Sequence, residues 1–220
     1  MPSSISLETG DIRSASGKSA LKNSLQVEVP TRDSSTDAII IDGCALLWTI
    51  QWPSKGSVSD LADAMYSYIQ CKILHHDVCL VFDRYKDYSI KGNTRAQRAK
   101  AVAHAHIFAI DTTLPDKERA MSSAKNKIQI IKLVSEHVCS KVAEENFTRT
   151  LILTGINDTP IQVKDGVISE KSDMSTTHEE ADIMMEQQTI KLLSSRKSVK
   201  VIEKKSVDKS ALAPSRHLKP

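Results

Sequence analysis

Two apolar runs in this chain close on an acid: "DAIIID" ends at Asp42 and "DVCLVFD" ends at Asp83. A third acidic group, Glu179, Glu180 and Asp182, stands in "THEEADIMM". A charge buried without a partner costs several kcal/mol, roughly 3–5 when a pair is broken, so a strand that ends on aspartate needs something to receive it. If the three segments converge, four or five carboxylates face one small volume, and their repulsion opposes that arrangement unless a divalent cation sits among them. Ligands that are all oxygen favour Mg²⁺ or Mn²⁺ over zinc or copper. Two such ions would activate a water and stabilise the leaving oxygen of a phosphodiester. The same residues have plainer uses. Asp42 and Asp83 can each end a strand by accepting from turn amides. Thr177-His178-Glu179-Glu180 reads as a T-x-x-E capping box, and acids in a first helical turn are favoured by the helix dipole whatever the function.

Directly after Asp83 the chain turns basic. Arg84, Lys86, Lys91, Arg95, Arg98 and Lys100 fall within 17 residues. On a helix, Lys91, Arg95 and Arg98 share a face, being spaced by four and three. Cations beside a carboxylate cluster suit a phosphodiester substrate, DNA or RNA, because they hold the backbone while the acids address one phosphate. The plainer reading is a solvated helix face. Tyr85 and Tyr88 lie close enough to a strand end to be read as core cover rather than base-stacking platforms.

The elements that must position these residues follow from the apolar pattern. "DAIIID" and residues 77 to 83 read as fully buried strands, as does "RTLILTG". Ser57 starts a helix through an S-x-x-D capping box with Asp60, and Val58, Leu61, Ala62, Met65, Ile69 and Ile73 form its inner face up to His75 and His76. A second helix is expected from about 118 to 145, with Ile128, Ile131, Val134, Val138 and Val142 inward. "PIQVKDGVISE" alternates on either side of Asp165-Gly166, a hairpin signal. The last helix carries Ala181, Met184, Met185 and Leu192 inward, and "SVKVIE" is a short final strand. Strands alternating with helices of this length predict an α/β fold, a mainly parallel sheet with helices on both faces. In such a sheet, chemistry collects at the carboxyl ends of the strands, where Asp42 and Asp83 lie.

Residues 1–36 are rich in Ser, Lys, Asp and Thr, too polar to offset chain entropy by burial, and are expected to be disordered. Residues 204–220 have no periodic pattern and read as a tail, which leaves one domain over 37–203. No apolar run approaches the roughly 20 residues of a membrane span, and no secretory leader is visible, so the expected setting is intracellular, nuclear or cytoplasmic, without a membrane partner. The four cysteines form no C-x-x-C pair, which argues against structural zinc. Cys44, Cys71 and Cys139 sit inside apolar periodic segments and are expected to act as small buried hydrophobes. The net charge of +3 and pI of about 8.6 permit a nucleic-acid partner without demanding one.

"IIIDGCALLW", "LVFDRYKDYSIKGNTRAQR", "LILTG" and "THEEADIMM" together resemble the PIN-like nuclease superfamily, in its flap-endonuclease and Asteroid-like branch. The similarity spans roughly residues 37 to 203. It implies a metal-dependent nuclease on a PIN-like, Rossmann-like three-layer fold. By that likeness Asp42 and Asp83 match the metal-binding strand-end aspartates, Glu180 and Asp182 match the E-x-[ED] pair of the later helix, and Glu179 is an extra acid beside them. The basic residues after V-F-D match those that guide the scissile phosphate. In such nucleases the strand after this helix runs into a D-x-D motif. Here "SVKVIE" runs into "KKSVDKSALAP", where only Glu203 and Asp208 are acidic. The expectation is a C-terminally truncated domain with an incomplete edge and impaired second-metal ligation. The alternative is a non-catalytic PIN-like module that binds nucleic acid or protein. A nucleotide-binding Rossmann or phosphatase domain fits the fold class, but the chain has no G-x-G-x-x-G after a strand, no G-x4-G-K-[ST] and no D-x-D nucleophile loop.

Overall fold

Ile39 and Ile41 pack into one buried cluster, and their neighbours Ala38 and Ile40 pack into another. Successive side chains of a strand leave on opposite faces, so strand β1 (Ala38–Asp42) is covered on both sides. That is the signature of a sheet between two helical layers. The computed structural model describes residues 36–53, 55–85 and 106–202. After β1 come α1 (Gly43–Thr49), α2 (Val58–Ile73) and β2 (Asp77–Val81), then α3 (Lys117–Ala120), α4 (Ala124–Glu145) and β3 (Leu151–Thr154). The chain continues through β4 (Ile161–Lys164), β5 (Val167–Glu170), α5 (Ala181–Leu193) and β6 (Val199–Ile202).

These strands form one six-stranded sheet in the order β5-β4-β3-β2-β1-β6. β3, β2, β1 and β6 are mutually parallel, and the β4–β5 hairpin adds antiparallel to β3. Asp165 and Gly166 both take positive φ, 49° and 72°, as a tight two-residue hairpin turn requires. The larger core joins α2 and α4 to one face through residues such as Leu61, Ile69, Ile130 and Val134. On the other face Ala181, Met184, Met185 and Leu192 of α5 pack on Ile40, Cys79, Val81 and Ile152. The architecture is therefore α/β with three layers, as the alternation predicts. β1 lies between β2 and β6, so the strand order reverses beside it. Such a reversal opens a crevice at the carboxyl ends of the strands.

The capping box of α2 is present in full: Ser57 Oγ accepts from the Asp60 amide at 3.2 Å, and Asp60 Oδ2 accepts from the Ser57 amide at 2.6 Å. Elsewhere the elements differ from expectation in instructive ways. The single helix expected over 118–145 is two. Ser122 and Ser123 separate them, with Ser122 Oγ donating back to the Arg119 carbonyl, because serine competes with the helical bonds it interrupts. Ile128 is 41% exposed and Ile130 takes an inner position. Ile128 shares its side of the helix with Ser135 and Cys139, where that face borders a cavity rather than the packed core. Cys71 is exposed, since it sits two positions, over half a turn, from both Ile69 and Ile73. Cys79 and Cys139 are buried. Among the described residues no helix is long and apolar enough to cross a membrane.

Where β3 ends, Gly155 takes φ 102° and passes against the backbone of Phe82. A Cβ there would lie 1.9 Å from the Phe82 carbonyl oxygen. Neither backbone can yield without separating the ends of β2 and β3. Gly155→Ala is expected to destabilise the domain by about 3 kcal/mol, combining left-handed strain with a steric displacement, read as a lowered urea midpoint at unchanged m-value.

Candidate metal and phosphodiester site

Asp42 is the last residue of β1 and also the N-cap of α1, with its Oδ1 accepting from the Ala45 amide at 2.9 Å. It sits beside Val81 in the parallel register, and the chain of β2 runs two residues further to Asp83. Gly43 keeps the two ends close: a Cβ at that position would meet the Phe82 ring at 2.5 Å. Asp83 does not cap its own strand. Its Oδ1 accepts from the amide of Ala181 at 2.8 Å, the first residue of α5, 98 positions away in the chain. The next amide, that of Arg84, donates to the Glu179 carbonyl at 2.8 Å. Two consecutive residues, Asp83 through its side chain and Arg84 through its backbone amide, thus hold the start of α5 against the end of β2.

This crossing settles which helix start the sequence encodes. The capping box expected at Thr177 does not form, because α5 begins at Ala181 with Glu180 as its N-cap and without a side-chain cap bond from it. One of the orphan amides at the start of α5, that of Ala181, goes to Asp83 instead of to a local cap. Glu179 and Glu180 are half-buried at the crossing, and Asp182 is exposed in the first turn of α5.

The acids feel one another. Burial is the largest cause holding the Asp42 carboxyl above its ordinary range; the Ala45 amide opposes it, and Asp83 and then Asp182 add repulsion. The thiol of Cys44 is pushed up to about 12, first by burial and then by the charge of Asp83, with Asp42 contributing. Cys44 therefore lies beside the acids as a neutral wall, not as a nucleophile.

Asp42, Asp83 and Asp182 offer the hard oxygen donors that Mg²⁺ or Mn²⁺ takes, and the repulsion at Asp42 is what a cation would relieve. The chemistry of the donor set fits. The geometry is less complete: among the described residues no group of three or more His, Cys, Asp or Glu side chains is arranged to hold a metal ion. The local amide bonding expected of a strand-end aspartate is present at Asp42, whereas at Asp83 the amide comes from α5.

Arg84 departs from its expected role. It is 6% exposed, and its guanidinium donates to the carbonyls of Thr176, His178 and Asn157 while pairing with Asp158 at 3.1 Å. Arginine presents several donors in a rigid fork, and here they knit the loop after β3 to the segment before α5. The guanidinium that the sequence groups with the nucleic-acid-facing cations is turned inward. Lys86, Lys91, Arg95, Arg98 and Lys100, with Tyr88, lie outside the described residues. Tyr85 is half-buried against the main core, as expected, with Lys127 Nζ 5.5 Å from its ring centre. The sequence reading missed the clamp formed by Asn157, Asp158 and Thr176. The one available signal was an arginine placed immediately after a strand-end aspartate, where the chain is still entering the core.

In comparisons with known proteins, no family model, curated protein or solved structure matches this chain.

Two outcomes follow from this geometry. Asp42→Asn keeps a good N-cap while removing a charge whose folded-state pKa is raised. A raised carboxyl pKa means that the folded state holds its proton more tightly, so stability is lost as pH rises from about 4 through the folded value. Asp42→Asn is therefore expected to raise Tm at pH 7 and to gain little below pH 4, as measured by calorimetry across that range. Arg84→Ala is expected to destabilise the fold by about 3 kcal/mol, because Asp158 and three carbonyls lose their donor; equilibrium denaturation would check this.

Proposed function

We propose that this chain carries a PIN-like domain that hydrolyses phosphodiester bonds of DNA or RNA with Mg²⁺ or Mn²⁺. One observation carries the reading. The bond from the Ala181 amide to the Asp83 carboxylate sets the start of α5, with Glu180 and Asp182, against the end of β2, beside the end of β1 where Asp42 lies. Asp42, Asp83 and Asp182 would hold the cation, with Glu180 and Glu179 beside them. When bound, the cation supplies an activated water and charge stabilisation on the phosphate. The chain's own contribution is placement. The amides of Ala45 and Ala181 orient one oxygen each of Asp42 and Asp83. Cys44, Phe82 and Gly43 exclude water from behind the pair. Asp182, exposed at the rim, faces an incoming substrate. The cations at 86–100 would hold the strand backbone.

A specific observation favours a second reading, a non-catalytic PIN-like module that binds nucleic acid or protein. Both strand-end aspartates are engaged by amides, and Arg84 is committed to the fold. An acidic crevice retained for helix placement alone would look the same from the backbone.

Cleavage assays separate the two. Labelled flap, single-stranded and hairpin substrates incubated with the full chain and millimolar Mg²⁺ or Mn²⁺ should be cut. Asp42→Ala and Asp182→Ala should each reduce the rate by at least about 100-fold, the scale for removing one electrostatic stabiliser of a transition state. Salt-sensitive binding with no turnover by the wild-type chain, weakened by Arg95→Ala and Arg98→Ala, would instead establish the second reading.

A further inference from the structure

Asp83 lines more than the acidic crevice. On its other side opens a cavity of about 550 Å³, walled by α4 on one flank and by the ends of β2 and β3 and the β4–β5 hairpin on the other. Its size falls within the range of sites that enclose a small organic ligand. The apolar part of the walls is mainly isoleucine: Ile128 and Ile131 from α4, Ile156 and Ile161 after β3, and Ile168 from β5. Ile128 and Ile168 are 41% and 49% exposed, large apolar side chains left at a rim. Polar groups are set into the same walls. Ser135 Oγ and Arg84 Nε are buried and have no hydrogen-bond partner among the described residues. Buried polar groups are normally satisfied, so orphans beside a cavity call for an occupant that carries hydrogen-bonding atoms. A hydrocarbon chain would leave them unsatisfied.

We infer that this cavity receives a single unpaired nucleobase of the strand whose phosphate lies at Asp42 and Asp83. A flat ring with apolar faces fits between isoleucines from opposite walls, and its polar edge supplies what Ser135 and Arg84 lack. Enzymes that act on unpaired nucleotides read them by the same combination of apolar sandwiching and edge contacts. Because Asp83 belongs to both spaces, the base and its phosphate are addressed by adjoining surfaces. The identity of the occupant rests on the phosphodiester reading; the existence of a site for a planar heterocycle does not.

The test uses the full chain in two arms. In the first, adenosine and uridine, which lack phosphate, are titrated against the isoleucine-methyl-labelled protein by NMR. Saturable shifts confined to Ile128, Ile131, Ile156, Ile161 and Ile168 are expected, and Ile128→Trp, a rim change that fills the opening, should abolish them while leaving Tm unchanged. Absence of shifts in the wild-type chain, or shifts unchanged in Ile128→Trp, overturns the site. In the second arm, a single-stranded oligonucleotide is compared with versions carrying one abasic position. One position should lose about tenfold in affinity, the scale of a single stacked base, and Ile128→Trp should erase that difference. Equal affinity for intact and abasic strands overturns the base assignment. Nucleoside shifts without any oligonucleotide cleavage or binding would retain the cavity as a heterocycle site and remove the phosphodiester reading instead.

Discussion

The hydrogen bond from the Ala181 amide to Asp83 is the constraint on which the rest of this site depends. It joins the exit of the second strand to the entrance of the last helix, and the Arg84–Glu179 backbone bond beside it fixes their relative direction. A helix N-terminus carries unsatisfied donors and a partial positive charge, so a carboxylate is its natural partner. In most helices that partner is local. Here it comes from across the sheet, and the acids flanking Ala181 in sequence, Glu180 and Asp182, are thereby delivered to the ends of β1 and β2. Arg84 reinforces the same junction from below by binding the carbonyls of Asn157, Thr176 and His178. Consecutive residues thus serve opposite polarities: Asp83 takes an amide, and Arg84 takes carbonyls.

The strands and helices were legible because burial writes itself into spacing. Four consecutive apolar residues in β1 encode a strand covered on both faces, and the S-x-x-D motif at Ser57 encodes a helix start whose bonds are all local. The hairpin at Asp165-Gly166 was legible for the same reason: its φ values are set by two neighbouring residues. Long-range substitutions for local interactions were not legible. Thr177 and Glu180 spell a capping box, yet the helix begins later because Asp83 supplies the cap from a distant segment. The inward turn of Arg84 was hidden in the same way, since its partners lie 73 to 94 residues further along the chain.

That Asp42 and Asp83 lie at neighbouring strand ends could be expected from the sheet alone; the approach of Asp182 on α5 could not. A parallel sheet aligns the carboxyl ends of its strands, and the reversal of order beside β1 leaves that end uncovered. How the carboxylate oxygens are shared could not be read, because it is decided by competition among partners of similar strength. An amide bonded to a carboxylate is worth about 1.5–3 kcal/mol net, so an arrangement that satisfies local donors is stable without any cation.

That competition also explains how one junction can serve two ends. A carboxylate has two oxygens and about four lone-pair directions. At Asp83 the Ala181 amide engages Oδ1; at Asp42 the Ala45 amide engages Oδ1 and the Cys44 amide bonds to the same carboxylate. Holding one oxygen fixes the plane of the group, which is the first requirement for presenting the other to a ligand in a defined direction. Capping and ligation are therefore compatible uses of the same side chain rather than rival explanations of it. Burial first, and then the charges of Asp83 and Asp182, hold the Asp42 carboxyl above its ordinary range against the amides that bind it, and a cation would relieve the repulsion part of that balance.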